Sequence, residues 1–427
     1  MSDFFKVLHR SKKSKARLGE IKTAHGVIKT PSFVAVGTKG TVKSILPGLL
    51  KEIGTQAAFV NTYHLLIHPG AEVIEKAGGI HRYAGLDLPL MSDSGGFQVF
   101  SLARNKMLRH QVFLAPVGPP PLRGASQVEK KLESQETQEK PAIVKISEDG
   151  VKFRSTFDGK VIELTPEKSI AYQKMIGADL LMAFDECIPY GVSYQYTKEA
   201  TERTHRWLER SISEFKKSQA PNSQAKPDHA SRDKFQTNNK KQCLYGIIQG
   251  GVFEDLRKES AKFVVAQNTD GVAIGGVSVG ESKKEMRDQV GWVADYLPAD
   301  RPVHLLGVGH FDDILDLVSC GIDTFDCVEP TRLARMGNLY QVKSEKFKVE
   351  SLKIEKIDIP KGIYREDFSK VDESCDCYVC RSFTKSYLHH LFKNRELLAY
   401  TLATYHNLWV MERFFEKVRE VIAKDQV

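Results

Sequence analysis

The run Leu244-Tyr-Gly-Ile-Ile-Gln-Gly-Gly251 is followed by Val272-Ala-Ile-Gly-Gly276, Val303-His-Leu-Leu-Gly-Val-Gly309 and Thr324-Phe-Asp326. Each is a short apolar stretch that ends on glycine or a polar residue, and helical patterns near 254–267, 281–294 and 311–318 separate them. The same arrangement recurs toward the N-terminus. Leu88-Pro-Leu-Met91 runs into Ser92-Asp93-Ser94-Gly95-Gly96, and Asp179-Leu-Leu-Met-Ala-Phe184 runs into Asp185-Glu186-Cys187. Further helical patterns begin at Thr165-Pro166-Glu167, with threonine as N-cap and proline at the first helical position, and near Thr197. Strand–helix repetition of this kind predicts parallel strands joined by right-handed crossovers. The expected fold is therefore α/β, a (β/α)8 TIM barrel, with the polar residues at the strand ends where such a barrel collects its chemistry. An open doubly wound sheet is the alternative. It needs a phosphate-binding glycine-rich loop, and Gly275-Gly276 lacks the spacing of one.

Outside this repeat the chain changes character. A β-like stretch over 339–359, a cysteine cluster and helical patterns over 383–392 and 396–422 follow Arg335. We expect a catalytic barrel over 1–335 and a zinc-binding subdomain over 336–427. Two polar stretches, 104–141 and 216–242, hold too few large apolar residues to order themselves and are expected as mobile surface insertions. The composition suits a globular chain: 427 residues with 41% hydrophobic and 27% charged, which excludes disordered and collagen-like classes. No apolar run approaches the ~20 residues that span a bilayer, and the basic N-terminus lacks the apolar core of a secretory signal. A cytoplasmic location without membrane contact is the expectation. The 62 Lys+Arg against 54 Asp+Glu give a net charge of +8, compatible with a polyanionic partner but common among enzymes. The basic run Arg10-Ser-Lys-Lys-Ser-Lys-Ala-Arg17 reads as solvated surface.

Cys375-x-Cys377-x2-Cys380 crowds three thiols onto one turn, and His406 follows on the long helical pattern. Three thiolates and one imidazole fill a tetrahedral Zn2+ shell with no open position, the mark of a structural site. His389 and His390 also lie downstream and are expected as packing or surface residues. Asp93, Asp185 and Asp326 each follow an apolar run. A lone aspartate there is usually a helix cap or turn former. Three in barrel register suit a nucleophile and a general acid/base acting at a glycosidic carbon. Arg332 and Arg335 come shortly after Asp326 and offer bidentate phosphate contacts.

At these residues the chain resembles the bacterial type of tRNA-guanine transglycosylase. The matching blocks are Thr30-Pro-Ser-Phe-Val-Ala-Val-Gly-Thr38, Asn61-Thr-Tyr-His64, Ser92-Asp-Ser-Gly-Gly-Phe-Gln98, Met182-Ala-Phe-Asp-Glu-Cys187, Gly246-Ile-Ile-Gln-Gly250, Gly275-Gly276, Leu306-Gly-Val-Gly309, Phe325-Asp-Cys-Val328 with Pro330-Thr-Arg332, and the cysteine–histidine set. The resemblance implies replacement of guanine in the anticodon loop of Asp, Asn, His and Tyr tRNAs by a 7-deazaguanine. Carried over by position, Asp326 is the nucleophile on ribose C1′ and Asp93 the general acid/base. Asp185 reads the N1/N2 edge of the base, and Gln249 and the Gly276 N–H address O6. Ser94, Leu306 and Gly307 line the pocket, Asn61 sits near the ribose, and Glu281 supports the backbone around Val277. Arg332 and Arg335 fall on anticodon-loop phosphates, zinc is structural, and the chain is expected to form a homodimer. Cys187 and Val279 match the pattern that fits the small base preQ1. Queuine as the incoming base, or a non-catalytic tRNA-binding accessory subunit, are the alternatives. Met336 and Val277 stand where the family commonly has Asn and Leu, and both insertions are longer than usual.

Overall fold

The computed structural model describes residues 4–97, 142–155, 157–217, 242–343 and 353–427. The expected insertion 104–141 lies outside the described residues. Of 216–242 only the ends are described: Lys216 and Lys217 close the helix Tyr194–Lys217, and Gln242 precedes a strand.

The chain opens with an antiparallel sheet of β1 (Phe5–Arg10), β2 (Arg17–Thr23) and β3 (Gly26–Thr30). The barrel then begins with β4 (Ser32–Val36), β5 (Ala58–Val60) and β6 (Leu90–Ser92). A second small antiparallel sheet, β7 (Ala142–Ile146), β8 (Val151–Arg154) and β9 (Val161–Leu164), interrupts it. The barrel resumes with β10 (Leu180–Met182), β11 (Cys243–Ile248), β12 (Gly271–Ile274), β13 (Val303–Leu305) and β14 (Thr324–Cys327). These eight strands close in the order β10-β11-β12-β13-β14-β4-β5-β6, with every neighbouring pair parallel. The TIM barrel is thus present and the open sheet excluded. The apolar runs of the sequence mark β6 and β10–β14, but β4 and β5 show there only as motif blocks, and the two antiparallel sheets were not foreseen.

Successive strand residues face opposite sides, and the core divides accordingly. Val34, Phe59, Met91, Leu180, Met182, Tyr245, Ile247 and Ala273 fill the lumen as one cluster. Their neighbours Phe33, Ala58, Leu90, Leu181, Leu244, Val272, Leu305 and Phe325 face the helices in another. The helices that cover the barrel start as their sequences require. Thr165 caps Pro166–Ile176 by accepting the Lys168 N–H, and Ser282 with Glu285 forms a capping box on Lys283–Val293.

The C-terminal segment is a hairpin of β15 (Asn338–Lys343) and β16 (Lys353–Asp358), followed by helices Tyr378–Ser382, Lys385–Lys393 and Leu397–Ala423. The last of these lies on the barrel wall, with Phe415 against Phe33 and Phe325 at ring distances of 6.3 and 5.7 Å. Asn407 ties it down further, donating to the carbonyls of Pro330 and Asn338 and accepting from the Tyr340 N–H.

One residue of the basic run departs from the solvated reading. Arg17 is buried and forks onto both oxygens of Asp323 at 2.9 and 2.6 Å, while its remaining N–H groups reach the carbonyls of Pro298, Ala299 and Arg301. A planar guanidinium with every donor used is how a buried charge is tolerated. No helix among the described residues is long and apolar enough to cross a membrane.

Candidate active site and metal centre

The residues singled out from the sequence gather at the carboxyl ends of the barrel strands. Asp93 follows β6 directly. Its carboxylate accepts from the Thr62 N–H at 2.7 Å, the Gly95 N–H at 3.1 Å and the Asn61 side chain, which stands at the end of the adjacent β5. Asp185, beyond β10, accepts from Ser94 Oγ at 3.0 Å and from Gln249 Nε2 at 2.8 Å. These partners come from the strands on either side, β6 and β11. On the far side of the rim, Asp326 lies within β14 and takes the Gly307 N–H at 3.0 Å and His304 Nε2 at 3.1 Å on its Oδ1. The bland role of an aspartate at a strand end is to cap the next helix. Here most partners sit on neighbouring strands, so the carboxylates are aimed across the mouth of the barrel rather than along the chain.

Electrostatics differ around the rim. Burial pushes the Asp185 carboxyl up to about 6, against the hydrogen bonds from Gln249 and Ser94, and the nearby Asp93 pushes the same way as burial. Burial likewise raises the Cys187 thiol, which makes it a packing group and not a nucleophile. Gln249 spends one amide hydrogen on Asp185, and its Oε1 is buried with no hydrogen-bond partner among the described residues. A buried polar atom of that kind is costly unless a ligand completes it.

The turn after β12 closes this side. A Cβ on Gly275 would come within 2.7 Å of Gln249 Nε2, and one on Gly276, whose φ is +63°, would overlap Gln249 Oε1. Glycine is required at both positions by close approach, and at Gly276 also by backbone conformation. Beneath the turn lies Arg257, a residue that nothing in the sequence singled out. It is fully buried and donates to the carbonyls of Gly251, Gly275 and Gly276 at 2.7, 2.7 and 2.9 Å and to Gln289 at 2.7 Å. The Gly275 N–H is used within the barrel, donating to the Ile248 carbonyl at 3.0 Å, so the N–H of Gly276 is the one the turn can offer the pocket. Glu281 holds the next segment by accepting from the N–H groups of Ser278 and Val279. Leu306 is half-buried, and Gly307 is exposed. A small cleft lined by Ile188, Tyr190, Gly251, Phe253, Gly276 and Val279 opens beside the turn. Arg332 is exposed and Arg335 half-buried on the helix Glu329–Arg335, which begins three residues after Asp326.

Cys375, Cys377, Cys380 and His406 form a group that could hold a metal ion. The three sulfurs lie 3.9, 3.5 and 3.4 Å from His406 Nδ1. A tetrahedral ion bonded to sulfur at about 2.3 Å and nitrogen at about 2.0 Å separates those atoms by about 3.6 Å, so the set has the right span. Nε2 of the same ring is 2.8 Å from the Tyr340 carbonyl, which orients the imidazole and leaves Nδ1 as the ligand atom. His389 and His390 take the packing and surface roles expected of them: His389 is buried with Nδ1 2.9 Å from the Ile359 carbonyl, and His390 is exposed.

A second group, His25, His81 and Asp179, lies at the opposite end of the barrel, ahead of β10. Asp179 is 2.8 Å from His25 Nδ1 and accepts the Leu90 N–H at 2.9 Å. Burial alone would raise this carboxyl, but the two imidazoles outweigh it and hold it at about 2. The rings of His25 and His81 are stacked at 3.4 Å and 16°. Both rings direct a nitrogen at the Asp179 carboxylate, His81 Nε2 lying 3.3 Å from it, so this group is a clasp at the foot of the barrel.

The sequence profile of the family described as "Queuine tRNA-ribosyltransferase" covers residues 11–116 and 131–427. Among curated proteins the chain is 40% identical over 423 residues to a queuine tRNA-ribosyltransferase of Thermoanaerobacter pseudethanolicus, covering 99% of this chain and 94% of that protein. Proteins of the same name from Nostoc sp. and Protochlamydia amoebophila are each 40% identical, over 422 and 424 residues, covering 99% of this chain and 94% and 96% of theirs.

Proposed function

The chain belongs to the queuine tRNA-ribosyltransferase family, and from that premise we propose how its own residues carry out the exchange. It is a tRNA-guanine transglycosylase acting in queuosine synthesis. The finer reading is exchange of guanine at the wobble position of GUN anticodons for preQ1 through a covalent Asp326–ribose ester. The observation that carries it is the placing of Asp93, Asp185 and Asp326 at the ends of three different barrel strands, each held by neighbours across the rim.

In the first displacement an Asp326 carboxylate oxygen bonds to ribose C1′, the C1′–N9 bond breaks, and guanine leaves with a proton from Asp93. In the second, Asp93 takes the N9 proton of the incoming base, N9 bonds to C1′ from the original face, and the Asp326 ester breaks. Two inversions retain the β configuration, and the bond energy is kept in the ester, so no nucleotide or redox cofactor is needed. Extruding the base into the pocket costs a few kcal/mol, less from a single-stranded loop than from a duplex. Arg332 and Arg335 supply phosphate contacts there. Zinc on Cys375, Cys377, Cys380 and His406 would have a structural role, since four protein ligands leave no position for substrate. The narrow cleft beside Val279 favours a small 7-substituent, hence preQ1 over queuine. An accessory subunit would not need three carboxylates held in this way. The exposed Ile363, Phe368, Tyr378, Leu397 and Leu398 on the zinc side support homodimer formation by that face. A cytoplasmic site of action accords with a tRNA substrate.

The test is exchange of radiolabelled guanine into unmodified tRNA with a GUN anticodon, followed by competition between preQ1 and queuine. Incorporation with preQ1 the better competitor is expected, and no incorporation would sink the reading. A pH experiment addresses Asp185. The guanine edge presents N–H donors, so the carboxylate must be ionised to bind it. With the folded value raised to about 6, the acceptor is present above that pH and is lost as pH falls through it. The KM for guanine is expected to rise about tenfold between about pH 7 and about pH 5. Asp185→Asn should raise KM by about one to two orders of magnitude and abolish the dependence, roughly the value of one hydrogen bond to a charged group. A KM that stays flat across that interval would remove Asp185 from base recognition.

A further inference from the structure

One imidazole interrupts the apolar run of β13, and it faces the lumen. His304 is fully buried, with Phe59 stacked on its ring at 5.8 Å and Thr324 beside it in register on β14. Its Nδ1 is 2.9 Å from Thr324 Oγ1, and its Nε2 is 3.1 Å from Asp326 Oδ1. A neutral imidazole donates from one nitrogen and accepts at the other. The Asp326 carboxylate only accepts, whereas the threonine hydroxyl can donate, so Nε2 carries the hydrogen and Nδ1 receives the hydroxyl's. The Gly307 N–H adds a second donor to the same Oδ1 at 3.0 Å. Among the described residues Oδ2 receives none.

We propose that His304 is a positioning residue for Asp326: with the Gly307 N–H it holds Oδ1 and presents Oδ2 as the attacking oxygen. The inference rests on the reading of Asp326 as nucleophile. It gives the hydrogen-bonded oxygen a use in both displacements. Fixing Oδ1 sets the direction of the Oδ2 lone pair toward C1′, where a small misplacement is costly in rate. When Oδ2 bonds to C1′, Oδ1 becomes the ester carbonyl oxygen. When the incoming base breaks that ester, negative charge returns to the carboxylate, and two donors already point at it. Thr324 acts one step behind, by fixing which nitrogen of His304 carries the hydrogen.

The experiment measures kcat, the KM for guanine and the rate of protein–tRNA adduct formation in the full-length wild type, His304→Ala, His304→Gln, Thr324→Val and Asp326→Asn. His304→Ala is expected to lower kcat and the adduct rate about 30-fold while KM changes by less than about twofold, because the ring stands behind the nucleophile and not in the base pocket. His304→Gln keeps an N–H at similar reach and should recover most of that loss, and Thr324→Val should fall between wild type and His304→Ala. Wild-type kcat in His304→Ala, equal losses in the alanine and glutamine variants, or a loss expressed in KM alone would each overturn the proposal. Should His304→Ala fail to fold, His304→Gln and Thr324→Val carry the test, and unchanged kcat in Thr324→Val overturns it. The two readings separate cleanly. An adduct that persists in Asp326→Asn overturns the nucleophile and this proposal with it. No adduct there, with full turnover in His304→Ala, overturns this proposal alone.

Discussion

Asp326→Asn is expected to lower turnover by about three orders of magnitude or more and to abolish the denaturation-resistant protein–tRNA adduct. The substitution is close to isosteric. Its Oδ1 can still accept from His304 and the Gly307 N–H, so β14 and its neighbours should hold and the melting temperature should scarcely move. The change removes the anionic oxygen. An amide nitrogen has its lone pair delocalised and cannot form the ester, so the double displacement has no first step. tRNA binding should survive, since Arg332 and Arg335 lie on the following helix and are untouched. The measurement is a denaturing gel of enzyme mixed with labelled tRNA, alongside guanine exchange. A surviving adduct would move the nucleophile to another residue, with Asp93 the first to examine.

Loss of the metal is the second large effect. Cys377→Ser should take zinc from about one per chain to near zero and lower the melting temperature by about 5–10 °C, the scale that several kcal/mol produces in a chain of this size. Cys377 is fully buried and caps the helix Tyr378–Ser382, its sulfur accepting the Cys380 N–H, so the thiolate orders the turn as well as the ion. The effect should reach the barrel. His406 and Asn407 are adjacent on the last helix, and Asn407 donates to the Pro330 carbonyl at the start of the helix that carries Arg332. Activity on tRNA should therefore fall together with stability. Apolar contacts of Phe415 with Phe33 and Phe325 keep the helix on the barrel without metal, which is why unfolding should be partial. His389→Ala serves as the control and should keep its zinc, because that ring is engaged with the Ile359 carbonyl. Unchanged metal stoichiometry in Cys377→Ser would reject the site.

Much of this was legible in the chain because the informative signals are local. The barrel strands from β6 onward announce themselves as apolar runs that stop at glycine or aspartate, and Cys375, Cys377 and Cys380 sit within one turn. Other elements gave no such signal. β5, Ala58–Val60, showed only through the Asn61 block that follows it, and β7–β9 stand next to polar sequence that reads as loop. Arg17 looked like one more cation in a basic run, and only a partner 306 residues away, Asp323, makes it a core residue. His304 and Arg257 were likewise single polar letters in a strand and a helix, with nothing beside them to mark a role.

Residue order alone thus determined the class of fold and the family, and it pointed to the candidate reacting and metal-ligating groups, because periodicity, turn chemistry and ligand spacing act between residues close in sequence. Tertiary structure decided which oxygen of Asp326 is held, how far the Asp185 carboxyl is raised from its ordinary value, and which buried cation supports the Gly275–Gly276 turn. Those depend on distances of about 3 Å between strands that meet only when the barrel closes, and on the loss of water that closure brings.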